Sequence, residues 1–385
     1  MAEGIRAFRA PGRVNLIGEH TDYNLGFVLP AALDLATFVV TAPSPDSKLR
    51  IYSEQKREMR EWLAASIPFL ERERDWTDYP IGVARELIRA GFAIRPANLL
   101  IRSTVPEGSG LSSSAALEVS CALAFLHGRS IGRLELAQLC QRAEQNFVGI
   151  PCGIMDQFVS IFGQEHSAIQ IDCRNFEQRA VYLPEGAVFA AVNSMVKHAL
   201  AASAYKDRVR ECAAAVERLR ERKASVNSLR DVSLNELEEA GSLFSPVILR
   251  RARHVVTENL RVSGFVNASA RANLAAMGQL LVESHRSLRD DYEVSCTELD
   301  FLVETALAQE GVYGARMTGG GFGGSIVAML RPETMDNFTA RVTAAYRQKF
   351  GIGAEVYPCH PSAGAAEVTN IETIPTEAQL INQTH

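Results

Sequence analysis

The chain has 385 residues, of which 47% are hydrophobic and 22% charged, and its formal net charge at pH 7 is −5. This length leaves room for two domains in a soluble globular protein, and the acidic balance argues against nucleic acid or an anionic membrane as the main partner. The seven cysteines are an odd number without a C-x-x-C pair, and the N-terminus lacks the apolar core of a signal peptide, so we expect a cytoplasmic protein without disulfides.

The first predicted strand, Arg6–Ala10, is expected to end at Pro11. The segment that follows, residues 13–24, is rich in ionisable side chains although it lies between two apolar strands. These side chains include Glu19, His20 and Asp22. Each of them alone is most simply part of a solvated loop. Together they supply acceptors and a donor within one turn, as is needed to hold several hydroxyl groups of a small polyol or sugar.

Strands and helices follow one another without a clean βαβ alternation, which indicates α+β layers. Hydrophobic patterns predict strands at 27–41, 49–53, 98–103, 167–172, 187–193, 314–317, 325–330 and 353–357. They predict helices at 81–90, 115–126, 134–147, 206–223, 234–240, 247–260, 268–287, 295–309 and 335–350.

A Gly/Ser-rich loop, residues 106–114, leads into the apolar helix predicted at 115–126. Gly108 and Gly110 free the backbone for close approach to a ligand, and Ser112, Ser113 and Ser114 stand where the helix begins. The unpaired N–H groups and the partial positive charge of a helix start form a site for an anion such as phosphate. A serine N-cap would use only one of the three hydroxyls. A site for phosphate and a metal uses all of them.

A second glycine cluster, residues 317–324, formally satisfies G-x-G-x-x-G. A dinucleotide fingerprint should open a helix inside an N-terminal βαβ unit, whereas the residues after this cluster are typical of a strand. We therefore predict a turn between two strands, close to a ligand or to another loop.

Asp156 lies among apolar residues, directly after Ile154 and Met155. An unpaired buried carboxylate would cost several kcal/mol. Asp156 is therefore expected to be either buried with a partner or catalytic.

Three motifs resemble those of the GHMP family of small-molecule kinases: residues 12–24, 106–116 and 317–324. The last two are shared across that family, whereas the first is similar to the more specific signature of its galactokinase branch. The resemblance implies an N-terminal α/β domain like domain 2 of ribosomal protein S5, over residues 1–195, and a C-terminal ferredoxin-like α+β domain, over residues 196–385. The resemblance leaves open whether the last strand belongs to the C-terminal domain or returns to the N-terminal domain. It implies an active site in the cleft between the two domains.

The resemblance also implies an activity and its site residues. The activity is ATP-dependent phosphorylation of D-galactose at the C1 hydroxyl, by a monomer that uses Mg²⁺ and binds neither nucleic acid nor membrane. Nucleotide contacts are expected at Ser53, Gly108, Ser109, Gly110, Leu111, Ser112, Ser113 and Ser114. Galactose contacts are expected at Glu19, His20, Thr21, Asp22, Gly153 and Tyr205. Mg²⁺ is expected at Ser114 and Glu144, directly or through water, because it takes few protein oxygens.

Phosphoryl transfer needs an in-line hydroxyl, a metal and cations near the transferred group. We expect Asp156 to accept the proton of the C1 hydroxyl, while Arg13 orients Asp156, keeps it ionised and stabilises charge on the transferred group. The alternative is that Asp156 mainly orients the hydroxyl. A further alternative is that the Arg13–Asp156 pair has no part in catalysis and only closes the cleft between the domains.

Three other functions compete with this interpretation. The first is a related kinase acting on N-acetylgalactosamine, arabinose or a uronic acid. The second is a catalytically inactive sensor of galactose and ATP, against which the presence of Ser112–Ser114 and Asp156 argues. The third is a nucleotide-binding oxidoreductase, which only the second glycine cluster suggests.

Overall fold

The structure, a computed structural model, describes residues 4–197, 201–370 and 374–375. Over these ranges it is built of sheets covered by helices, which confirms the α+β prediction. The strands are β1 (Arg6–Asn15), β2 (Phe27–Val28), β3 (Pro30–Pro43), β4 (Lys48–Ser53), β5 (Glu58–Leu63), β6 (Ala97–Ser103), β7 (Ser167–Asp172), β8 (Gln178–Tyr182), β9 (Val188–Lys197), β10 (Val312–Thr318), β11 (Gly323–Leu330), β12 (Glu355–Cys359) and β13 (Ala366–Glu367). The helices are α1 (Asp78–Arg89), α2 (Ser113–Leu126), α3 (Arg133–Ala143), α4 (Met155–Phe162), α5 (Ala201–Arg222), α6 (Leu234–Glu239), α7 (Pro246–Ala270), α8 (Leu274–Asp290), α9 (Thr297–Leu307) and α10 (Met335–Phe350).

One sheet has the strand order β13-β1-β3-β6-β4-β5 and is covered by α1 to α4. Its strands pair antiparallel except for β4 and β6, which are parallel. Buried apolar side chains such as Phe8, Val39, Val119 and Leu139 form the core between this sheet and the helices. This packing fixes α2 and α4, whose first turns carry the predicted serine and aspartate residues.

The first strand is longer than predicted. β1 continues from Arg6 to Asn15, and its pairing with β3 shifts register between Pro11 and Arg13. A bulge accommodates the proline because the missing N–H falls where the ladder is already interrupted. The prediction that the strand ends at Pro11 was wrong. As a result, Arg13 is held by a strand rather than by a loop.

The other large sheet has the order β10-β11-β9-β12 and packs against the helices of the C-terminal half. The glycine cluster forms the turn between the antiparallel strands β10 and β11, with Gly319, Gly321, Gly323 and Gly324 at positive φ. This confirms the predicted turn and leaves no helix for a dinucleotide fingerprint at this place. The boundary predicted between residues 195 and 196 falls within β9 and stays a prediction.

Two of the predicted helices have different bounds in the structure. The helices predicted at 247–260 and 268–287 are α7, which continues to Ala270, and α8, which begins at Leu274. The predicted end at 260 was too early, because buried Phe265 and Val266 extend the apolar face of α7 beyond it. Within the described ranges, no helix combines the length and the apolar composition that a membrane span requires.

Candidate active site

The serine loop enters α2 through a left-handed backbone. Gly108, Gly110 and Ser112 have φ values of 73°, 76° and 59°. Ser112 is the N-cap residue of α2, yet its side chain makes no capping hydrogen bond. The hydroxyl donates instead to Oδ2 of Asp156. The N–H groups at the start of α2 are therefore not used by the serine that precedes them, as an anion site at a helix start requires.

A cavity of about 450 Å³ lies over this loop. Its lining includes Ser53, Trp76, Tyr79, Gly108, Gly110, Ser112, Ser113, Ser114, Glu144 and residues 319–324. Ser109 and Leu111 are buried behind the loop instead: the Ser109 hydroxyl donates to the Pro106 carbonyl at 2.8 Å, and the Leu111 carbonyl accepts from the backbone N–H of Arg13 at 3.0 Å. These two residues fix the shape of the loop.

A second cavity, of about 320 Å³, adjoins the first. Predicted galactose-binding residues that line it are Glu19, His20, Asp22, Gly153 and Tyr205. Thr21 is fully buried, and its hydroxyl lies 2.9 Å from the Gly18 carbonyl and 2.6 Å from the Phe27 carbonyl. Thr21 therefore holds the loop that carries the others.

Asp22 and Gly153 face each other across this cavity at close range. A Cβ atom at position 153 would lie 1.5 Å from Oδ2 of Asp22, so only glycine leaves room for the carboxylate. Burial, with the charges of Asp156 and Glu19, raises the pKa of Asp22 to about 6, although hydrogen bonding to the Tyr23 backbone and the charge of Arg13 oppose the shift. The carboxylate is thus a partly desolvated acceptor facing the cavity.

His20 is buried in an aromatic cluster beside the cavity. Its ring lies 5.5 Å from that of Tyr205 and 4.8 Å from that of Tyr292, and its Nδ1 is 2.8 Å from the Tyr23 hydroxyl. Burial, with nearby His254 and Arg208, lowers the pKa of His20 to about 3. The imidazole is therefore neutral at pH 7, with one ring nitrogen able to donate and the other to accept a hydrogen bond.

Both oxygens of the Glu19 carboxylate contact buried groups of the protein. Oε1 accepts from the Gly319 backbone N–H at 2.6 Å and from the Thr318 hydroxyl at 3.0 Å, and Oε2 lies 3.2 Å from Nη2 of Arg316. Glu19 thereby ties the first motif to the glycine turn that ends β10. Its predicted contact with the sugar stays a prediction.

Arg13 and Asp156 lie where the two cavities meet. The guanidinium donates through Nε to Oδ1 at 2.8 Å and through Nη2 to Oδ2 at 2.6 Å, and its Nη1 donates to the Gly110 carbonyl at 2.5 Å. Both residues, together with Glu144, line both cavities. The bidentate pair fixes the Asp156 carboxylate between the serine loop and the pocket of Asp22.

The residues expected at the metal offer hard oxygen ligands. Burial and the charge of Asp156 raise the pKa of Glu144, and hydrogen bonds from Cys152, Gln157 and Ser114 partly offset this. Over the residues that the structure describes, there is no cluster of three or more His, Cys, Asp or Glu side chains able to hold a metal. A serine and a glutamate facing a phosphate site fit Mg²⁺, which takes few protein oxygens and completes its shell with phosphate oxygens and water.

Several residues that shape this site were not predicted from the sequence. Gln157 and Glu118 are fully buried behind Glu144, and fully buried Arg316 pairs with Glu19. A glutamate inside the apolar helix α2 was the one available signal for Glu118. No local pattern marks Arg316, because the Asn15 and Leu16 carbonyls to which it donates lie about three hundred residues away in the chain.

The two adjoining cavities, the glycine turn and the serine loop define a kinase of the GHMP class. The family model for the N-terminal domain of GHMP kinases matches residues 78–164, and the model for their C-terminal domain matches residues 265–348. The mevalonate kinase of Methanococcus jannaschii shares the fold, with a TM-score of 0.65 at 16% identity over 94% of this chain and 99% of that one.

Within this class, the chain belongs to the galactokinase family. The family model for the galactokinase galactose-binding signature matches residues 2–43. The galactokinases of Chloroflexus aggregans and Chloroflexus aurantiacus are each 46% identical to it over 363 residues, covering 94% of this chain and 93% of theirs. The galactokinase of Lactococcus lactis, solved with galactose, has a TM-score of 0.90 at 36% identity over 95% of this chain and 96% of its own.

Proposed function

We propose that this chain transfers the γ-phosphoryl group of ATP to the C1 hydroxyl of D-galactose, giving galactose 1-phosphate and ADP. The observation that carries the proposal is the position of the Arg13–Asp156 pair, which lines both the cavity of the serine loop and the cavity of Asp22. A nucleotide in the first and a sugar in the second would meet at this pair. Membership in the galactokinase family gives the identity of the two substrates.

The sugar pocket is suited to hydroxyl groups of one arrangement. Asp22 accepts from sugar hydroxyls, while neutral His20 offers Nε2, because its Nδ1 is 2.8 Å from the Tyr23 hydroxyl. Gly153 and Tyr205 complete the walls of the pocket. A buried carboxylate left without a hydroxyl partner would cost about 1–3 kcal/mol, so we expect strong selection among epimers.

At the reacting centre, Asp156 takes the proton of the C1 hydroxyl. The hydroxyl oxygen forms a bond to the γ-phosphorus, and the bond between that phosphorus and the β-phosphate oxygen breaks. Arg13 keeps the carboxylate in place and lies close to the transferred group, where its charge opposes the developing negative charge. The Ser112 hydroxyl, which donates to the same carboxylate, couples the serine loop to the base.

The phosphates of ATP would lie over Gly108–Ser114, and Ser53 would face the nucleotide. Ser114 and Glu144 would hold Mg²⁺, which supplies charge neutralisation on the phosphate oxygens when bound. Ser109 and Leu111 contribute through the loop shape that they maintain.

We also propose that the chain acts as a cytoplasmic monomer on these two small molecules, with no nucleic acid or membrane partner. The net charge of −5 argues against a nucleic acid or membrane partner. A mass near the 42.1 kDa of one chain in sedimentation analysis is the expected result, and a stable dimer would contradict it.

A coupled assay of ADP release over a panel of sugars tests the activity. Galactose should give the highest kcat/KM, above N-acetylgalactosamine, arabinose and a uronic acid. Glucose should be used with a kcat/KM lower by at least roughly tenfold to a hundredfold. Binding of galactose and ATP without ADP release would instead indicate a sensor, and a higher kcat/KM for another sugar would reassign the substrate.

A further inference from the structure

Behind the predicted metal ligand lies a group of three buried polar side chains, Glu118, Gln157 and Glu144, here called the carboxylate bracket. The amide nitrogen of Gln157 donates to Oε2 of Glu144 at 2.7 Å and to Oε2 of Glu118 at 3.0 Å. Glu118 and Gln157 have no solvent exposure, and neither lines the two substrate cavities. A single amide group therefore joins two carboxylates in the interior.

The bracket connects the three elements that surround the phosphate site. Glu118 lies on α2, one helical turn after Ser114, and Gln157 follows Asp156 on α4. Glu144 opens the π-helical turn Glu144–Val148 that continues α3. A shift of any one element would change the position of Glu144 relative to the serine loop.

The orientation of the Gln157 amide is fixed by its partners. The NH₂ group has two hydrogens, and each of the two carboxylates takes one. A flipped amide would place its oxygen against Oε2 of Glu144, acceptor against acceptor. Because Gln157 occupies Oε2 of Glu144, it restrains the rotation of that carboxylate, which also accepts from Cys152 and from the predicted metal ligand Ser114.

Packing alone does not explain these buried polar side chains. Oε1 of Glu118 and Oε1 of Gln157 are buried without a hydrogen-bond partner. Buried unpaired acceptors lower stability, and apolar side chains would join α2 and α4 without that cost. A buried polar group with this cost is expected where it sets the geometry of a functional group.

We propose that Gln157 and Glu118 are positioning residues for the metal: Gln157 orients Glu144 toward Mg²⁺, and Glu118 holds the Gln157 amide in the orientation that this requires. The inference rests on the proposed function, in which Glu144 is a ligand of Mg²⁺. Second-sphere partners of this kind fix the direction of a ligand's lone pairs, and their loss typically lowers metal affinity 10–100-fold.

The test is calorimetric binding of ADP to the full chain, with Mg²⁺ and without it. Gln157→Leu should weaken binding of Mg²⁺·ADP roughly 10–100-fold, while the affinities for metal-free ADP and for galactose stay unchanged. Gln170→Leu is the matched control, because Gln170 is also buried but lies on β7, where its amide oxygen accepts from Arg179. It should bind Mg²⁺·ADP as the wild type does.

A second pair of variants keeps the test independent of the folding of Gln157→Leu. Glu118→Leu should also weaken Mg²⁺·ADP binding. Glu118→Gln keeps an acceptor oxygen opposite Gln157 and should bind Mg²⁺·ADP as the wild type does. If Glu118→Leu and Glu118→Gln bind Mg²⁺·ADP equally, or if Gln157→Leu folds and binds it normally, the positioning role is overturned.

Glu144→Ala separates this failure from failure of the metal assignment. Normal Mg²⁺·ADP binding by the bracket variants, with weak binding by Glu144→Ala, overturns the positioning role alone. Normal binding by Glu144→Ala overturns both the positioning role and the assignment of Glu144 to the metal.

Discussion

Replacing Gly153 with alanine should damage galactose use through a single contact. The new Cβ would lie 1.5 Å from Oδ2 and 2.2 Å from Cγ of Asp22. Because Cβ atoms essentially never approach closer than 3.0 Å, the carboxylate must move by more than 1 Å. A displacement of this size at a positioning group lowers kcat/KM by about a hundredfold, so we expect a loss of that order for galactose with the KM for ATP unchanged.

Steady-state kinetics on four proteins check this reasoning: wild type, Gly153→Ala, Asp22→Ala and the double variant. If Gly153→Ala acts by displacing Asp22, the double variant should be no worse than Asp22→Ala alone. Gly241→Ala is the control, because its Cβ would meet only Leu249 at 3.7 Å. Additive losses, or a normal kcat/KM for galactose in Gly153→Ala, would refute the proposed contact.

Four more changes have expected outcomes. Asp156→Asn should lower kcat by at least ~10² while galactose still binds in calorimetry, and a near-normal kcat would remove Asp156 from the role of base. Glu144→Gln should weaken use of Mg²⁺·ATP and be partly rescued by more Mg²⁺; a rise in the galactose KM alone would place Glu144 in the sugar site. Galactose affinity, titrated from pH 7 to 5, should fall below pH 6, because burial raises the pKa of Asp22 to about 6 and the protonated acid loses acceptor capacity. The same raised pKa makes the ligand-free fold gain stability from this group as the pH falls, so the stability of the wild type relative to Asp22→Asn should rise from pH 7 to 5, and a fall would contradict the assignment. Arg316→Met should lower the free energy of unfolding in denaturant by about 3–5 kcal/mol, since it leaves two buried glutamates without this partner, and a loss under about 1 kcal/mol would contradict that role.

Much of the fold could be predicted from hydrophobic periodicity and turn residues. The helix at 115–126 and the strands at 49–53 and 325–330 lie within one or two residues of α2, β4 and β11. β5 was missed because its sequence, Glu-Met-Arg-Glu-Trp-Leu, does not alternate between charged and apolar residues, although the strand alternates between half-buried and exposed positions at the edge of the sheet. Its pattern gives a weaker signal than the continuous apolar runs of the central strands.

The site could be predicted where its residues are close together in the sequence, as in the serine loop and the segment around Asp22. Contacts between distant segments could not. Gln157 and Glu118 meet across 39 residues, and Arg316 contacts the Asn15 carbonyl across 301. No local pattern reveals such contacts, because only tertiary packing brings buried polar groups from separate elements to one point.

In the proposed reaction, phosphoryl transfer takes place where the Arg13–Asp156 pair joins the two cavities. ³¹P NMR of the product made from ATP and galactose labelled with ¹³C at C1 tests it most directly, in wild type and in Asp156→Asn. We expect a phosphorus signal coupled to the labelled carbon in wild type and a rate lower by at least ~10² in the variant. Phosphate on another hydroxyl, no product from galactose, or equal rates for the two proteins would contradict it.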